Sequence, residues 1–210
     1  MSSRRPTRKS KGKKVVDKWK EKSWYEVQAP AYIVEKSLGD TPASEPEQLY
    51  GRIIEMAKLG VAEDIYYDIN LKIRFRITKV EGNICRTEFV GHEVAKEQIR
   101  SQIRRNRSKI EAIQNVTTKD KARLRVYSII ITPRRCGTST QKVLRKTIVD
   151  IIRATCRNQS FVEFAQNMVN GSIASEIKKA VGKIYPFVLV DVRKSKVITL
   201  PEGKAATVAP

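Results

Sequence analysis

The chain has one histidine, three cysteines and only 7% aromatic residues, and each scarcity removes a class of function. A single histidine, His92, cannot build a multi-histidine metal site. Cys85, Cys136 and Cys156 stand far apart, odd in number and without a C-x-x-C pair. That argues against a disulfide framework and a zinc ribbon, and it suits a reducing cytosol. No stretch approaches the ~18 apolar residues of a membrane span. The N-terminus has no apolar run behind its charges, so it does not read as a secretory signal. Neither G-x-x-x-x-G-K-[ST] nor G-x-G-x-x-G occurs, and the glycine in "RRCGTSTQK" has the wrong spacing for a phosphate cradle. A Cys–His nucleophile would need a cysteine to meet His92 in space; a capping or core role is the expectation for His92, and a small buried hydrophobe for the cysteines. The acids Asp64, Asp68, Glu88 and Asp150 are scattered, and solvated or salt-bridged roles are expected of them rather than a metal pair.

Positive charge is abundant instead. There are 42 Lys and Arg against 22 Asp and Glu, a formal net charge of +20 and an isoelectric point near 10.1. Such a balance carries self-repulsion that a polyanion would relieve; nucleic acid is the leading candidate and an anionic membrane surface the second. The 210 residues, 40% of them hydrophobic, suffice for one good-sized core.

The charge is distributed unevenly. Residues 1–22 hold ten Lys and Arg against two acids and almost nothing apolar, so they cannot offset chain entropy by burial and read as a disordered basic arm. Residues 23–200 read as one α+β domain, and 201–210 as a flexible tail. Within the domain, Trp24, Tyr25 and Val27 suggest a short strand stopped by Pro30. "GDTPASEPEQ" suggests a loop, and "LYGRIIEMAKLG" a strand with a bulge or turn. The strongest pattern is Ile69, Leu71, Ile73, Phe75 and Ile77 alternating with polar residues, the period of a half-buried strand. Glu81-Gly82-Asn83 turns it back into a second strand, Ile84–Val90. "GHEVAKEQIRSQIRRNRSKIEAI" changes to helical spacing, with Ile99, Ile103 and Ile110 on one side. "ARLRVYSIIIT" is a third long strand ended by Pro133. The last third predicts a helix burying Leu144, Ile148, Ile151 and Ile152. It also predicts a helix from a Ser160/Glu163 capping box to a Gly171 stop, and a helix through Ile173, Ile177, Val181 and Ile184. "FVLVDVRKSKVITL" is the final strand. The order predicts an α+β fold, a β-barrel-like or strongly curved mixed sheet with flanking amphipathic helices.

The cations recur in groups: Arg4, Arg5, Arg8, Lys9, Lys11, Lys13 and Lys14 in the arm, and Lys72, Arg74 and Arg76 on the outer face of the alternating strand. Arg100, Arg104, Arg105 and Arg107, with Lys109, are expected on the helix, where Lys96, Arg100, Arg104 and Arg107 would share a face. Arg134 and Arg135 precede the stripe Lys142, Arg145 and Lys146, and Arg193, Lys194 and Lys196 lie in the final strand. One such run is ordinarily a solvated face. Several without compensating acids, leaving 32 basic against 20 acidic residues outside the arm, point to binding of shaped RNA through its backbone. Arginine predominates in the structured groups, and its planar fork pairs two phosphate oxygens. No cofactor or small-molecule substrate is expected. The alternatives are an RNA-processing or modifying enzyme with a basic surface, depending on Glu88, His92 or Asp150, and a membrane-peripheral or messenger-binding scaffold.

Four stretches, "KKVVDKWKEKSWYEVQAP", "LKIRFRITKVEGNICRTEFVGHE", "KVLRKTIVDII" and "IYPFVLVDVRKSKV", resemble in order an archaeal and eukaryotic family of small-subunit ribosomal proteins, S-one-e (formerly S-three-a-e, the v-fos transformation effector). The short C-terminal end is similar to archaeal members. The resemblance implies a β-barrel-like core with flanking helices and no catalysis. It also implies a cytoplasmic place on the small-subunit platform near the 3′ end of the ribosomal RNA and the messenger exit. The implied partners are ribosomal RNA and neighbouring ribosomal proteins, with messenger RNA as a further candidate and no membrane.

Overall fold

The computed structural model describes residues 19–33, 37–57 and 70–201; the basic groups before residue 19, Ile69, Asp64 and Asp68 lie outside them. The strand with the strict two-residue alternation is β4 (Leu71–Glu81): Leu71, Ile73, Phe75 and Ile77 are buried, and the polar residues between them face outward. Gly82 and Asn83 turn it into β5 (Ile84–Val94), which runs four residues beyond the expected Val90 because it continues to pair with β4 up to Leu71↔Val94. β5 is the hub of an eight-stranded mixed sheet. β4 covers one of its edges, and β3 (Ile53–Ala57) pairs with β4. The other edge is shared: residues 84–86 take β1 (Ser23–Gln28) in parallel, and Glu93 takes β8 (Leu189–Thr199) antiparallel. Outward from these lie β2 (Ser37–Ala43) beside β1, and β7 (Arg123–Ile131) then β6 (Lys109–Thr117) beside β8. Register shifts within β1–β2, β4–β5 and β7–β8 bend the sheet. Among the described residues β2, β3 and β6 remain its edges, so the sheet does not close into a barrel.

Three helices cover one face. α2 (Thr138–Asn158) packs on β6, α4 (Ser172–Gly182) on β8, and α3 (Phe161–Asn170) reaches β5. Leu144, Ile148, Ile152 and Cys156 of α2 enter the core with Phe161 and Phe164 of α3 and Ile173, Ile177 and Val181 of α4. They meet Ile110, Ala112, Val116, Leu124, Val126 and Ile130 of the sheet. The α3 start is built as the sequence indicates. Ser160 Oγ accepts from the Glu163 amide, Glu163 answers to the Ser160 amide, and the helix ends at Gly171 with φ 78°. A short helix, α1 (Lys96–Gln102), lies against the opposite face at one end, where Ile99 joins Leu71, Val94, Ile129 and Ile131.

The β5–β8 junction depends on one missing side chain. A Cβ on Gly91 would collide with the Ser195 carbonyl oxygen and carbon, which are backbone atoms. Next to it His92 is buried. Its amide donates to Ser195 Oγ at 3.1 Å, its Nδ1 lies 2.7 Å from the same oxygen, and its Nε2 lies 3.1 Å from the Val192 carbonyl. This is the core role expected of His92, and it pins β8 across β5. Cys85 and Cys156 are likewise fully buried, and burial lifts the Cys156 thiol to about 12.

Several expectations are corrected. "GDTPASEPEQ" is no loop in its first half: β2 runs through it, with Pro42 on the sheet's edge, where a missing N–H costs no ladder bond, and residues 46–49 form a 3-10 turn. The helix expected through Ile110 stops at Gln102; Ile103 is extended, Asn106 sits at φ 67°, and Lys109 already begins β6. Ile151 is only half-buried, and Ile184 lies past the end of α4, exposed. Residues 19–22, assigned to the arm, form a turn in which Trp19 meets Trp24 edge-on at 6.3 Å and Lys22 lies over the Trp19 ring. Pro201, assigned to the loose tail, is buried.

Candidate nucleic-acid interface

The β6–β7 hairpin draws two separate basic groups together. The Ser108 amide donates to Thr132 Oγ1 and the Ser108 carbonyl accepts from the Thr132 amide, at 3.1 and 3.0 Å; Ser108 Oγ accepts from the Cys136 amide at 3.1 Å. Thr132 Oγ1 also donates to the Arg134 carbonyl at 2.7 Å. The turn carrying Arg104, Arg105 and Arg107 is thereby fastened to the loop carrying Arg134 and Arg135. Four of these five arginines are exposed, and Arg107 is half-buried, donating to the Gln102 carbonyl at 2.8 Å. α2 begins directly after this loop. Lys142, Arg145 and Lys146 are exposed on its first turns, and Arg145 Nε donates to the Glu111 carbonyl in β6 at 3.3 Å. The helical stripe from Arg100 to Arg107 does not exist, since only Lys96 and Arg100 lie on α1. In its place, hydrogen bonds between residues 24 to 28 apart in sequence bring the Arg104–Arg107 turn beside the Arg134–Arg135 loop.

Other cations have found carboxylates. Arg74 bridges Glu55 at 2.6 Å and Glu93 at 2.9 Å, and Lys194 reaches the same Glu93 oxygen at 2.9 Å. Glu111 takes Lys109 at 2.7 Å and Arg193 at 2.9 Å. Burial works to raise the Glu93 carboxyl, but the Lys194 hydrogen bond and the charges of Lys194, Arg74 and Lys96 outweigh it and hold it below the usual carboxylate range. The Lys109 hydrogen bond, with the charges of Lys109 and Arg193, holds Glu111 low as well, against its partial burial. The expectation of runs without compensating acids is therefore corrected for Lys109, Arg193 and Lys194, and Arg74 on β4 is paired as well. Lys72, Arg76 and Lys196 stay exposed and have no carboxylate partner among the described residues.

Sequence reasoning missed Arg123 and Arg125 as a site. Both are exposed at the start of β7, with Arg125 directly opposite Lys196 of β8 and bonded through Nε to Asn115 Oδ1 at 2.8 Å. Alternation in "ARLRVYSIIIT" sets them opposite the buried Leu124 and Val126, but nothing local in the sequence names their neighbour across the ladder. The enzyme alternative gains no constellation. His92 is enclosed by Ser195 and Val192, Asp150 is exposed on α2, and Glu88 lies in β5. Among the described residues no group of three metal-ligating side chains forms, and no helix is long and apolar enough to cross a membrane.

A mixed sheet backed on one face by helices, with exposed arginines and lysines gathered on loops, a helix start and the open face, defines an α+β domain with strongly basic surfaces. The chain belongs to the Ribosomal S3Ae family, which it matches over residues 10–201. Proteins called small ribosomal subunit protein eS1 are similar to it along nearly their whole length. That of Methanobrevibacter smithii is 38% identical over 186 residues, covering 89% of this chain and 96% of its own. That of Desulfurococcus amylolyticus is 39% identical, covering 89% and 87%, and that of Saccharolobus islandicus 37%, covering 92% and 93%.

Proposed function

We propose that this chain is a structural constituent of the small ribosomal subunit, in the cytoplasm, holding ribosomal RNA beside neighbouring ribosomal proteins. Its family and the names of its relatives support that role. The observation that carries the RNA contact is the arginine cluster fastened by Ser108, Thr132 and Cys136, continued onto α2 by Lys142 and Lys146. Exposed guanidinium groups on two tied loops can grip phosphates of a folded RNA without reading its bases. The proposed place is the platform near the 3′ end of the ribosomal RNA and the messenger exit, and the role is architectural rather than catalytic. In this reading the arm, with Arg4, Arg5, Arg8, Lys9, Lys11, Lys13 and Lys14, threads between RNA helices during assembly, where phosphates offset its charge.

Gradient sedimentation of the tagged chain from its own cell extract tests the role. The chain should travel with small subunits and stay there through a moderate-salt wash, and deletion of residues 2–14 should weaken incorporation while leaving the domain folded. A chain that remains at the top of the gradient would contradict the ribosomal role, and normal incorporation of the deletion would contradict the role of the arm.

A further inference from the structure

The face of β6, β7 and β8 turned away from the helices is ordered in rows. Residues directly opposite in an antiparallel ladder point to the same side, so the registers stack Thr117, Arg123 and Thr199 in one row, Asn115, Arg125 and Lys196 in the next, and Ile113, Tyr127 and Lys194 in a third. α1 meets this face only farther along, at Ile129 and Ile131. Two features of the rows have no use inside the fold. Arg125 and Lys196 are like charges placed opposite each other, which destabilises a ladder unless an anion lies between them. Ile113 is 59% exposed in the middle of a strand, beside the half-buried ring of Tyr127.

We propose that this open face binds a single-stranded segment of RNA, with Arg123, Arg125 and Lys196 holding successive phosphates and Tyr127 with Ile113 forming the floor under an unpaired base. The inference rests on the reading of the chain as an RNA binder and adds a second surface, distinct in kind from the arginine cluster. Charge complementarity selects a polyanion. The sheet selects the unpaired form: rows two residues apart are ~6.8 Å from one another, so neighbouring nucleotides of an extended strand can each meet a row. Flat side chains beside cations are the usual platform for unstacked bases, whereas a duplex offers mostly its backbone.

The test uses the full chain and a fluorescent mixed-sequence single-stranded RNA, compared with the same sequence as a blunt duplex, at a salt concentration that screens the loose attraction of the arm. The double variant Arg125→Ala with Lys196→Ala should weaken single-strand binding about tenfold and flatten its salt dependence by one to two ions, as expected for loss of about two phosphate contacts, while duplex binding moves less than twofold. Tyr127→Leu should weaken the single strand about fivefold, and Tyr127→Phe should not, because the ring is kept. Thermal unfolding of each variant verifies the fold. Unchanged single-strand affinity in both the double variant and Tyr127→Leu, or an equal loss on both RNAs, overturns the inference. If duplex binding then still falls with Arg104→Ala and Arg135→Ala, the proposed function survives that failure. A native chain that binds neither RNA overturns both.

Discussion

The open face of the sheet has two regions that look alike in composition and differ in what their charges do. Around the β5–β8 junction, Arg74 and Lys194 converge on Glu93, with Glu55 as a second partner of Arg74. A few residues away, Arg123, Arg125 and Lys196 stand without a carboxylate partner among the described residues. In the first region cations and carboxylates hold strands together; in the second, although Arg125 bonds Asn115 across β6–β7, Arg125 and Lys196 oppose each other as like charges. A count of basic residues treats both alike. Only pairing separates charge that builds the fold from charge left for a partner.

The sharpest way to break the first region is at its steric centre. Gly91→Ala forces a Cβ onto the Ser195 backbone, where no flexible side chain can yield, so the strand crossing must shift. A loss of about 3 kcal/mol or more is expected in chemical unfolding, among the larger effects of a single substitution. Glu93→Gln comes next. It leaves Arg74 and Lys194 facing a neutral amide, and since both cations keep access to water the expected loss at neutral pH is about 1–2 kcal/mol.

That loss has a pH signature. The Glu93 carboxyl titrates below its ordinary value of 4.5 when folded. Its contribution is therefore fully present above 4.5 and disappears as pH falls through the depressed folded value. Unfolding free energies of the native chain and of Glu93→Gln should converge as the solution is acidified from neutrality; a gap that stays constant would show that the charge of Glu93 is not what holds the junction.

Ser160→Ala lies away from both regions and calibrates the scale. Loss of the α3 cap should cost about 1 kcal/mol and leave RNA binding untouched. The smallest stability effect belongs to the second region. Lys196→Thr relieves its opposition to Arg125 and should raise stability by about 0.2–0.5 kcal/mol while lowering RNA affinity. A stability loss as large as that of Glu93→Gln would erase the distinction between the regions.

Much of the fold was legible because local patterns and tertiary structure agree. β4 alternates strictly, and its apolar residues are the ones buried. The Ser160–Glu163 box and Gly171 bound α3 as their chemistry requires. β6 was misread because its arginine-rich approach has helical spacing, although Ile110, Ala112 and Val116 within it alternate as a strand does. The ladder with β7 settled the matter, with Asn106 at φ 67° opening the turn before it. β2 carries Gly39, Asp40 and Pro42, poor strand formers, and is held by its partner β1 at the sheet's edge. The candidate site was legible as a list of cations but not as a place. Glu111 and Arg193 are 82 residues apart in sequence, and Glu93 and Lys194 are 101 apart. The bonds that tie the Arg104–Arg107 turn to the Arg134–Arg135 loop run through Ser108, which nothing in its neighbourhood singles out.

The most direct test compares lysine acetylation by a small reagent in the free chain and in purified small subunits. Lys142, Lys146 and Lys196 are exposed and should be reactive in the free chain and protected in the subunit, whereas Lys194, already bound to Glu93, should react slowly in both. Equal reactivity of Lys142, Lys146 and Lys196 in the two states would contradict the claim that the uncompensated cations are the ones that meet RNA.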